Sequence, residues 1–257
     1  MKRIAIGIKD LSVEMKRVAF VCAMPMEMRP LKRKLSLKKT VIKALEVYAG
    51  SLDDRPVVAI VTGIGSVLAG RGVERLLEIF DIEHVIVVGI TGAVENETPI
   101  GTLVLPAVVV NGATGAEYRP KQLGGGKTRG TMWTSDELIT DLDVISRLRA
   151  NGVVALDMET AAVAEVCQRR NIPWSVFRAV SDRATEVSLD DDVFQLINRD
   201  GTFNLKMIGR FFAKHPGRLP ALARVARDAR LAAERAAAAA ITAFLQPSRN
   251  SPFSQDT

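Results

Sequence analysis

The sequence predicts an α/β fold, and three observations support this prediction. Short apolar runs rich in β-branched residues recur along the chain, as they do in buried strands. Amphipathic helical patterns lie between these runs, so strands and helices alternate. A long segment rich in Ala and Arg, residues 219–245, then predicts a C-terminal helix.

Six segments have the length and composition of strands, and several are apolar enough to be buried on both faces. They are residues 17–22, 56–61, 84–88, 102–110, 153–156 and 174–179. Residues 112–130 contain few apolar side chains and the run Gly124-Gly125-Gly126. This stretch predicts an irregular, mobile loop.

Helical periodicity is clearest in residues 66–80 and 160–169. In the first of these segments the predicted buried face is an apolar stripe of Val67, Leu68, Val73, Leu76, Leu77 and Phe80. In the C-terminal helix Arg224, Arg227 and Arg230 share one face, and apolar residues share another. We expect this helix to pack against the core or a second subunit.

The length of 257 residues, with 47% hydrophobic residues, allows a substantial core, and we favour one domain over residues 17–246. Residues 1–16 are predicted to be an N-terminal extension and residues 247–257 a disordered tail. Cys22 and Cys167 both lie in apolar stretches, so we interpret them as buried small hydrophobes in a reducing compartment. No signal peptide is recognised, and a cytoplasmic protein is expected.

Several binding classes are disfavoured by composition. The charge of +6 is scattered along the chain, which argues against nucleic acid as a partner. The longest stretch of low polarity, residues 236–245, is too short to span a bilayer, so no membrane association is expected. His84 and His215 lie far apart without Cys partners at ligand spacing. We interpret them as surface or strand-edge residues and predict no metal site.

The first candidate motif joins a strand to a helix through a glycine turn. Residues 58–66 read Val-Ala-Ile-Val-Thr-Gly-Ile-Gly-Ser, which would present free backbone N–H groups to an anion or a polar substrate. A dinucleotide site is disfavoured, because the third glycine, Gly70, comes two positions late and Glu83 precedes the next strand. A tight turn that binds no ligand remains an alternative.

Two further motifs place charged side chains at the ends of predicted strands. Asp157 and Glu159 follow one strand, where they could cap a helix or lie at a ligand site. Another strand delivers Arg178, Ser181 and Asp182. Such an acid can share a proton with a leaving base, and such an arginine can orient a carboxylate. A plain salt bridge with a turn cap would look the same.

A fourth strand leads to Glu27 near the start of a helix, and four such strand ends favour one shared crevice. These four segments resemble the nucleoside phosphorylase superfamily, and in particular the methylthioadenosine/S-adenosylhomocysteine nucleosidases. The similarity covers residues 17–188 and is most specific in Asp-Met-Glu-Thr-Ala-Ala-Val-Ala (157–164) and Arg-Ala-Val-Ser-Asp (178–182). The resemblance implies a curved, mixed β-sheet flanked by helices, and a homodimer with sites near the subunit interface.

The resemblance also implies catalytic roles for residues at matching positions. Glu27 matches a glutamate that activates water, Thr62 a hydroxyl residue that helps to hold this water, and Arg178 the arginine of the water site. Asp182 matches the acid that hydrogen-bonds to purine N7. Ser181 precedes it in the same segment and is assigned to substrate binding.

The remaining matching positions are substrate contacts. Met158 and Glu159 match the pair at the ribose, with Glu159 binding the sugar hydroxyls. Leu138 and Ile139 align with a segment that stacks on the base, and Gly92 with the glycine-rich floor beneath the nucleoside. No cofactor is implied, because hydrolysis requires only water.

The chemistry of glycosidic cleavage agrees with these assignments. Positive charge develops on the ribose and negative charge on the base, so carboxylates near the sugar and a proton donor at N7 both lower the barrier. Glu27 must be ionised to accept a proton from water, while Asp182 must carry or share one. We therefore expect their surroundings to set the two pKa values apart.

Hydrolysis is favoured over phosphorolysis, because related phosphorylases place an arginine in the first loop, where this chain has Glu27. Arg29 and Lys32 follow on the next helix, so a phosphate-dependent phosphorylase remains the alternative. The chain departs from the family pattern in a shortened 111–134 region and at Leu138, which replaces an aromatic residue. These departures leave the 5′ substituent open, and a non-catalytic nucleoside-binding protein is a further alternative.

Overall fold

A computed structural model describes residues 15–183 and 219–246, which form a mixed β-sheet with helices packed on both of its faces. The strands are β1 (Arg17–Cys22), β2 (Lys38–Ile42), β3 (Leu45–Leu52), β4 (Arg55–Val61), β5 (Ile82–Ala93), β6 (Leu103–Val104), β7 (Val108–Asn111), β8 (Glu117–Tyr118), β9 (Thr131–Thr134), β10 (Val153–Asp157) and β11 (Trp174–Arg183). The helices are α1 (Pro25–Lys34), α2 (Ser66–Ile79), α3 (Leu142–Ala150), α4 (Thr160–Arg169) and α5 (Leu219–Leu245). The predicted tail, His215 and all but the last two residues of the predicted extension lie outside the described residues.

The sheet has the strand order β2-β3-β4-β1-β5-β10-β9-β7-β8, with β11 paired to β5 and to β6. Strand β1 runs parallel to β4 and β5, and β11 runs parallel to β5. Strands β2 and β3 form an antiparallel hairpin, and β10 is antiparallel to β5. The predicted mixed sheet flanked by helices is therefore confirmed.

The central strands are buried on both faces because successive side chains point to opposite sides of the sheet. In β1, Ala19 and Val21 pack in a cluster with α2 and α4, whereas Val18 and Phe20 pack in a cluster with α1 and α5. Cys22 and Cys167 are free and buried, as the sequence predicted. No helix in the described ranges is both long enough and apolar enough to cross a membrane.

The predicted single strand over residues 102–110 is wrong. The chain forms two strands here, β6 paired with β11 and β7 paired with β9, and the break contains Pro106. Proline has no N–H group to donate to a ladder, so it interrupts the strand. The sequence also missed the β2–β3 hairpin, because β2 is largely exposed and has no continuous apolar run.

The predicted apolar stripe of α2 is confirmed except at its first member, since Val73, Leu76 and Phe80 are buried and Leu68 and Leu77 are half-buried. Val67 is 60% exposed, and the buried residues of the helix are Ala69, Val73, Leu76 and Ile79. The start of α2 also contacts loops, since Ser66 hydrogen-bonds to Asp136 and Met158, which lie outside the sheet. The predicted loop over residues 112–130 is irregular except for the two-residue strand β8.

His84 is buried, so its interpretation as a surface or strand-edge residue is wrong. Its Nε2 lies 2.8 Å from Ser175 Oγ, because the parallel pairing of β5 and β11 brings the two strands side by side. Burial, together with the charge of Lys121, lowers the pKa of His84 to about 4. The imidazole is therefore neutral at physiological pH and has a structural role.

Candidate active site

The predicted site residues that follow strand ends lie at one edge of the sheet. The parallel strands β4, β1, β5 and β11 all end at this edge, and β10 ends beside Gly92 of β5. In an open α/β sheet the carboxyl ends of the strands are where ligands bind. The four segments that the sequence singled out therefore share one location.

Arg178 of β11 is the centre of a buried ion cluster, with only 3% of its side chain exposed. Its Nη2 donates to Asp157 Oδ2 at 2.7 Å and to Glu159 Oε2 at 3.1 Å. Its Nη1 lies 3.7 Å from Glu27 Oε1. Burial alone would lower the pKa of Arg178, but the three carboxylates raise it above its ordinary value. One guanidinium is thus shared by three acids.

Glu27 is held by backbone donors as well as by Arg178. Its Oε2 accepts hydrogen bonds from the N–H groups of Ala23 and Met24, both at 2.9 Å, and its Oε1 accepts one from Ile90 at 2.8 Å. Burial nevertheless raises the pKa of Glu27 above its ordinary value, against the opposing effects of Arg178 and these donors. A buried carboxylate with a raised pKa is a stronger base than an exposed one.

Gly89 of β5 leaves the space in which Glu27 and Arg178 meet. A Cβ atom at this position would lie 2.3 Å from Glu27 Oε1 and 2.9 Å from Arg178 Nη1. Any other residue would therefore displace the charged groups. Gly92 of this strand was a predicted site residue, whereas Gly89, three positions earlier in the same glycine-containing run, was not.

Asp157 also fixes Arg178, a role that was not predicted from the sequence. Its Oδ1 accepts from Thr134 Oγ1 at 2.6 Å, and its Oδ2 accepts from the Thr160 N–H at 2.9 Å. The same Oδ2 receives the hydrogen bond from Arg178. Asp157 therefore caps α4 and anchors the guanidinium at once, so the helix-capping interpretation is correct for this acid.

Glu159 has a different environment from Asp157. It occupies the N-cap position of α4 but makes no capping hydrogen bond with its side chain. Instead its Oε1 accepts from the Gly65 N–H at the start of α2, at 3.0 Å. Burial raises the pKa of Glu159 to about 7, and the negative charges of Asp157 and Glu27 act in the same direction.

Asp182 and Ser181 lie next to each other at a bulge near the end of β11. The pairing of β11 with β5 shifts between Val180 and Asp182, so Asp182 lies opposite Gly92. A Cβ atom on Gly92 would be 3.3 Å from Asp182 Oδ2. Ser181 Oγ donates to Asp182 Oδ1 at 2.5 Å. Bulges re-aim side chains in this way near functional sites.

Of the other predicted residues, Thr62 and Met158 are linked to these segments by hydrogen bonds, whereas Leu138 and Ile139 lie in the loop after β9. The Thr62 N–H donates to Cys22 O at 2.9 Å, which joins the end of β4 to the loop that leads to Glu27. The Met158 carbonyl accepts from Ser66 Oγ at 3.3 Å. Leu138 and Ile139 are half-buried in the loop after β9, and Ile139 packs against a small apolar cluster that includes residues of α3.

Arg29 and Lys32 of α1 were the basis of the phosphorylase alternative, but neither forms an ion pair with the acids of the ion cluster in the described residues. Arg29 is exposed, and Lys32 Nζ lies over the Tyr48 ring at 4.7 Å from its centroid. Among the described residues, Arg178 is the cation that contacts the three acids. The site is therefore acidic overall.

Curated proteins similar to this chain include 5'-methylthioadenosine/S-adenosylhomocysteine nucleosidases. The one from Halalkalibacterium halodurans is 25% identical over 229 residues, which cover 76% of this chain and 99% of that protein. The one from Oceanobacillus iheyensis is 27% identical over 201 residues, which cover 66% of this chain and 88% of that protein.

Solved structures have a similar fold. The Neisseria meningitidis 5'-methylthioadenosine/S-adenosylhomocysteine nucleosidase in complex with methylthio-immucillin-A aligns with a TM-score of 0.67 at 19% identity and covers 90% of this chain and 100% of that one. Helicobacter pylori futalosine hydrolase aligns with a TM-score of 0.67 at 14% identity and covers 90% of this chain and 99% of that one.

The sequence also matches a family pattern along most of its length. The match spans residues 17–124 and 127–211, so it includes the ion cluster and all of the predicted site residues. The resemblance predicted from the strand-end motifs is confirmed. The chain belongs to the Phosphorylase superfamily.

Proposed function

We propose that this protein hydrolyses the N-glycosidic bond of a purine nucleoside of the adenosine type and releases the free base. The observation that carries the proposal is the buried cluster in which Arg178 contacts Glu27, Asp157 and Glu159. The names of the curated relatives, which are methylthioadenosine/S-adenosylhomocysteine nucleosidases, support the same reaction.

In the proposed reaction the C1′–N9 bond breaks as the oxygen of a water molecule bonds to C1′. Glu27 accepts the proton of this water, and Arg178 and Thr62 help to hold it. Glu159 binds the ribose hydroxyls beside Met158, where its negative charge stabilises the positive charge that develops on the sugar. Asp182 shares a proton with N7 of the departing base, assisted by Ser181, above the floor formed by Gly92. Leu138 and Ile139 contact the base.

Water is favoured over phosphate because the position for an anion is already taken by a side chain. The Glu27 carboxylate accepts hydrogen bonds from the backbone N–H groups of Ala23, Met24 and Ile90. Without this carboxylate, the same donors could bind an anion such as phosphate. The nearby charge of Glu159 adds to the repulsion of a phosphate dianion. The proposed reaction therefore needs no cofactor.

The proposal is tested by following base release from methylthioadenosine, S-adenosylhomocysteine, adenosine and inosine, each with and without phosphate. We expect release from at least one adenosine-type substrate at the same rate in both conditions. A requirement for phosphate would instead establish a phosphorylase. Tight binding with no release from any of the four would identify a nucleoside-binding protein.

We further propose one domain over residues 17–246, a cytoplasmic location and a homodimer. The family match supports a single domain, since it runs through most of this range. The two free, buried cysteines suit a reducing compartment. Sedimentation equilibrium of the purified protein tests the dimer, and a monomer at micromolar concentration would refute it.

A further inference from the structure

Two acids from distant segments occupy the N-terminus of α2. The Gly65 N–H donates to Glu159, and the Ser66 N–H donates to Asp136 Oδ1 at 2.7 Å. Helix α2 has no acidic residue in its first turn, and its N-cap, Gly65, has no side chain. Two of the free donors at the helix start are therefore satisfied from outside the helix.

Asp136 belongs to the loop between β9 and α3, residues 135–141. The loop is fixed at its start by the Ser135 N–H, which donates to Asp157 O at 2.9 Å. It is fixed at its end by Asp141, which caps α3 by accepting hydrogen bonds from the N–H groups of Asp143 and Val144. Asp136 lies just after the first of these points and connects the loop to α2.

The start of α2 thus joins two parts of the candidate site. Through Gly65 it holds Glu159, which we assign to the ribose, and through Ser66 it holds the loop that contains Leu138 and Ile139. Ser66 Oγ adds a third link, since it donates to the Met158 carbonyl at 3.3 Å. A carboxylate at the positive end of a helix makes a charge-assisted hydrogen bond, which is stronger than a neutral one.

We propose that Asp136 is a positioning residue that ties the base-side loop to the start of α2 and so sets the affinity for the purine base. This inference rests on the proposed nucleosidase function. In the described hydrogen bonds Asp136 contacts the Ser66 N–H and no member of the ion cluster, so its loss affects binding of the base more than cleavage of the bond.

The test compares three variants in the full-length protein, with methylthioadenosine as substrate and adenine as ligand. Asp136→Ala is expected to raise both KM and the adenine Kd about tenfold, with kcat within about threefold of the unmodified protein. Asp136→Asn retains an acceptor oxygen and is expected to recover most of the affinity. Asp141→Ala is the matched control, because it removes a capping carboxylate from the same loop without touching α2.

The donor side of the same hydrogen bond gives a second test. Ser66 is the first residue of α2, a position where proline is well tolerated. Ser66→Pro removes the N–H, and Ser66→Ala, which keeps it, is the reference. We expect Ser66→Pro to weaken adenine binding relative to Ser66→Ala, and Asp136→Ala to have little further effect in the Ser66→Pro background.

The outcomes separate this inference from the proposed function. If the unmodified protein releases no base, the proposed function fails, and adenine binding alone still tests Asp136. Unchanged KM and adenine Kd in Asp136→Ala would overturn the inference. So would an equal loss of affinity in Asp141→Ala, because that result would mean that general loop stability sets the affinity.

Discussion

At the scale of single residues, the three acids around Arg178 differ in their other partners, and these partners decide what each acid can do. Asp157 is fully engaged by hydroxyl and backbone donors of Thr134 and Thr160, which suits an anchor. Glu27 is held by backbone N–H groups. Glu159 has the fewest donors and a pKa of about 7, which suits a group that binds a substrate.

Glu27→Gln tests the proposed base. An amide cannot accept the proton of water, so we expect kcat to fall by roughly 10²–10⁴-fold while substrate binding is largely kept. Glu46→Gln is the control, because Glu46 forms an exposed ion pair with Lys39 on the β2–β3 hairpin. A Glu27→Gln protein that keeps more than a third of the original rate would exclude this glutamate as the base.

Because of Glu159, we expect kcat/KM to rise with pH. Its pKa is about 7, and the ionised form is the one that accepts hydrogen bonds from sugar hydroxyls. Below this pH we expect kcat/KM to increase by up to about tenfold per pH unit, and to level off above it. The measurement is a pH profile of the unmodified protein and of Glu159→Gln, in which this limb should disappear. A limb of equal slope in Glu159→Gln would assign it to another group.

The same residue should make the free energy of unfolding fall as the pH rises. Its folded-state pKa is higher than that of an unfolded glutamate, about 4.3, so the folded protein binds more protons between these values. The stabilising contribution is complete below about pH 4.3 and is lost as the pH rises through about 7. Urea unfolding between pH 5 and 8 should show a smaller decline in the free energy of unfolding for Glu159→Gln.

At the scale of elements, β5 and β11 form the site because their pairing places a glycine opposite a charged residue twice. Gly89 lies opposite Arg178, and Gly92 lies opposite Asp182 after the bulge. The absence of a Cβ at both positions leaves space for these long or acidic side chains above the strand. The glycines of β5 therefore shape the site without contributing a side chain.

Gly89→Ala is expected to lower activity strongly by displacing Glu27 and Arg178, because the new Cβ would lie 2.3 Å from Glu27 Oε1. The loss in kcat/KM should be about 10²-fold or more, since small misplacements of catalytic groups are costly. Gly125→Ala is the control, because a Cβ there has no neighbour within 4 Å. Near-normal kinetics of Gly89→Ala would show that the crowding at β5 is relieved by a harmless shift.

At the scale of the whole molecule, α5 covers the sheet with small residues. It packs against β5, β11 and α1, and its buried face consists largely of alanines, among them Ala232, Ala236 and Ala240. The short side chains let the helix approach the strands that carry the site. Arg224, Arg227 and Arg230, which were predicted to share one face of this helix, are all exposed.

Ala236→Leu should destabilise the protein through overpacking, because Ala236 is completely buried between α5 and the sheet. We expect a cost of about 1–3 kcal/mol in the free energy of unfolding and a lower Tm. Ala226→Leu, at an exposed position of the same helix, should change neither. Equal stability of the two variants would mean that α5 shifts freely on the sheet.

The α/β class, the helices over residues 160–169 and 219–245 and the strand ends that carry the chemistry could all be predicted from the sequence. This was possible because these features are local: apolar runs, helical periodicity and short motifs lie within single stretches of chain. The strand break at Pro106 and the exposed hairpin β2–β3 were missed, because pairing partners and exposure depend on distant segments.

In contrast, the three acids that contact Arg178, and the glycine that leaves space for them, could be identified only from the folded chain. Asp157 and Glu159 are 21 and 19 positions away from Arg178 along the chain, and Glu27 lies in α1, which follows β1, so no local pattern specifies their contact. The folded chain likewise showed that Asp157 anchors the Arg178 guanidinium and that Glu159 accepts a hydrogen bond from Gly65 at the start of α2. Strand order and register decide which charged groups meet, and burial sets the free-energy cost of each charge. Neither can be read from the spacing of residues in the sequence.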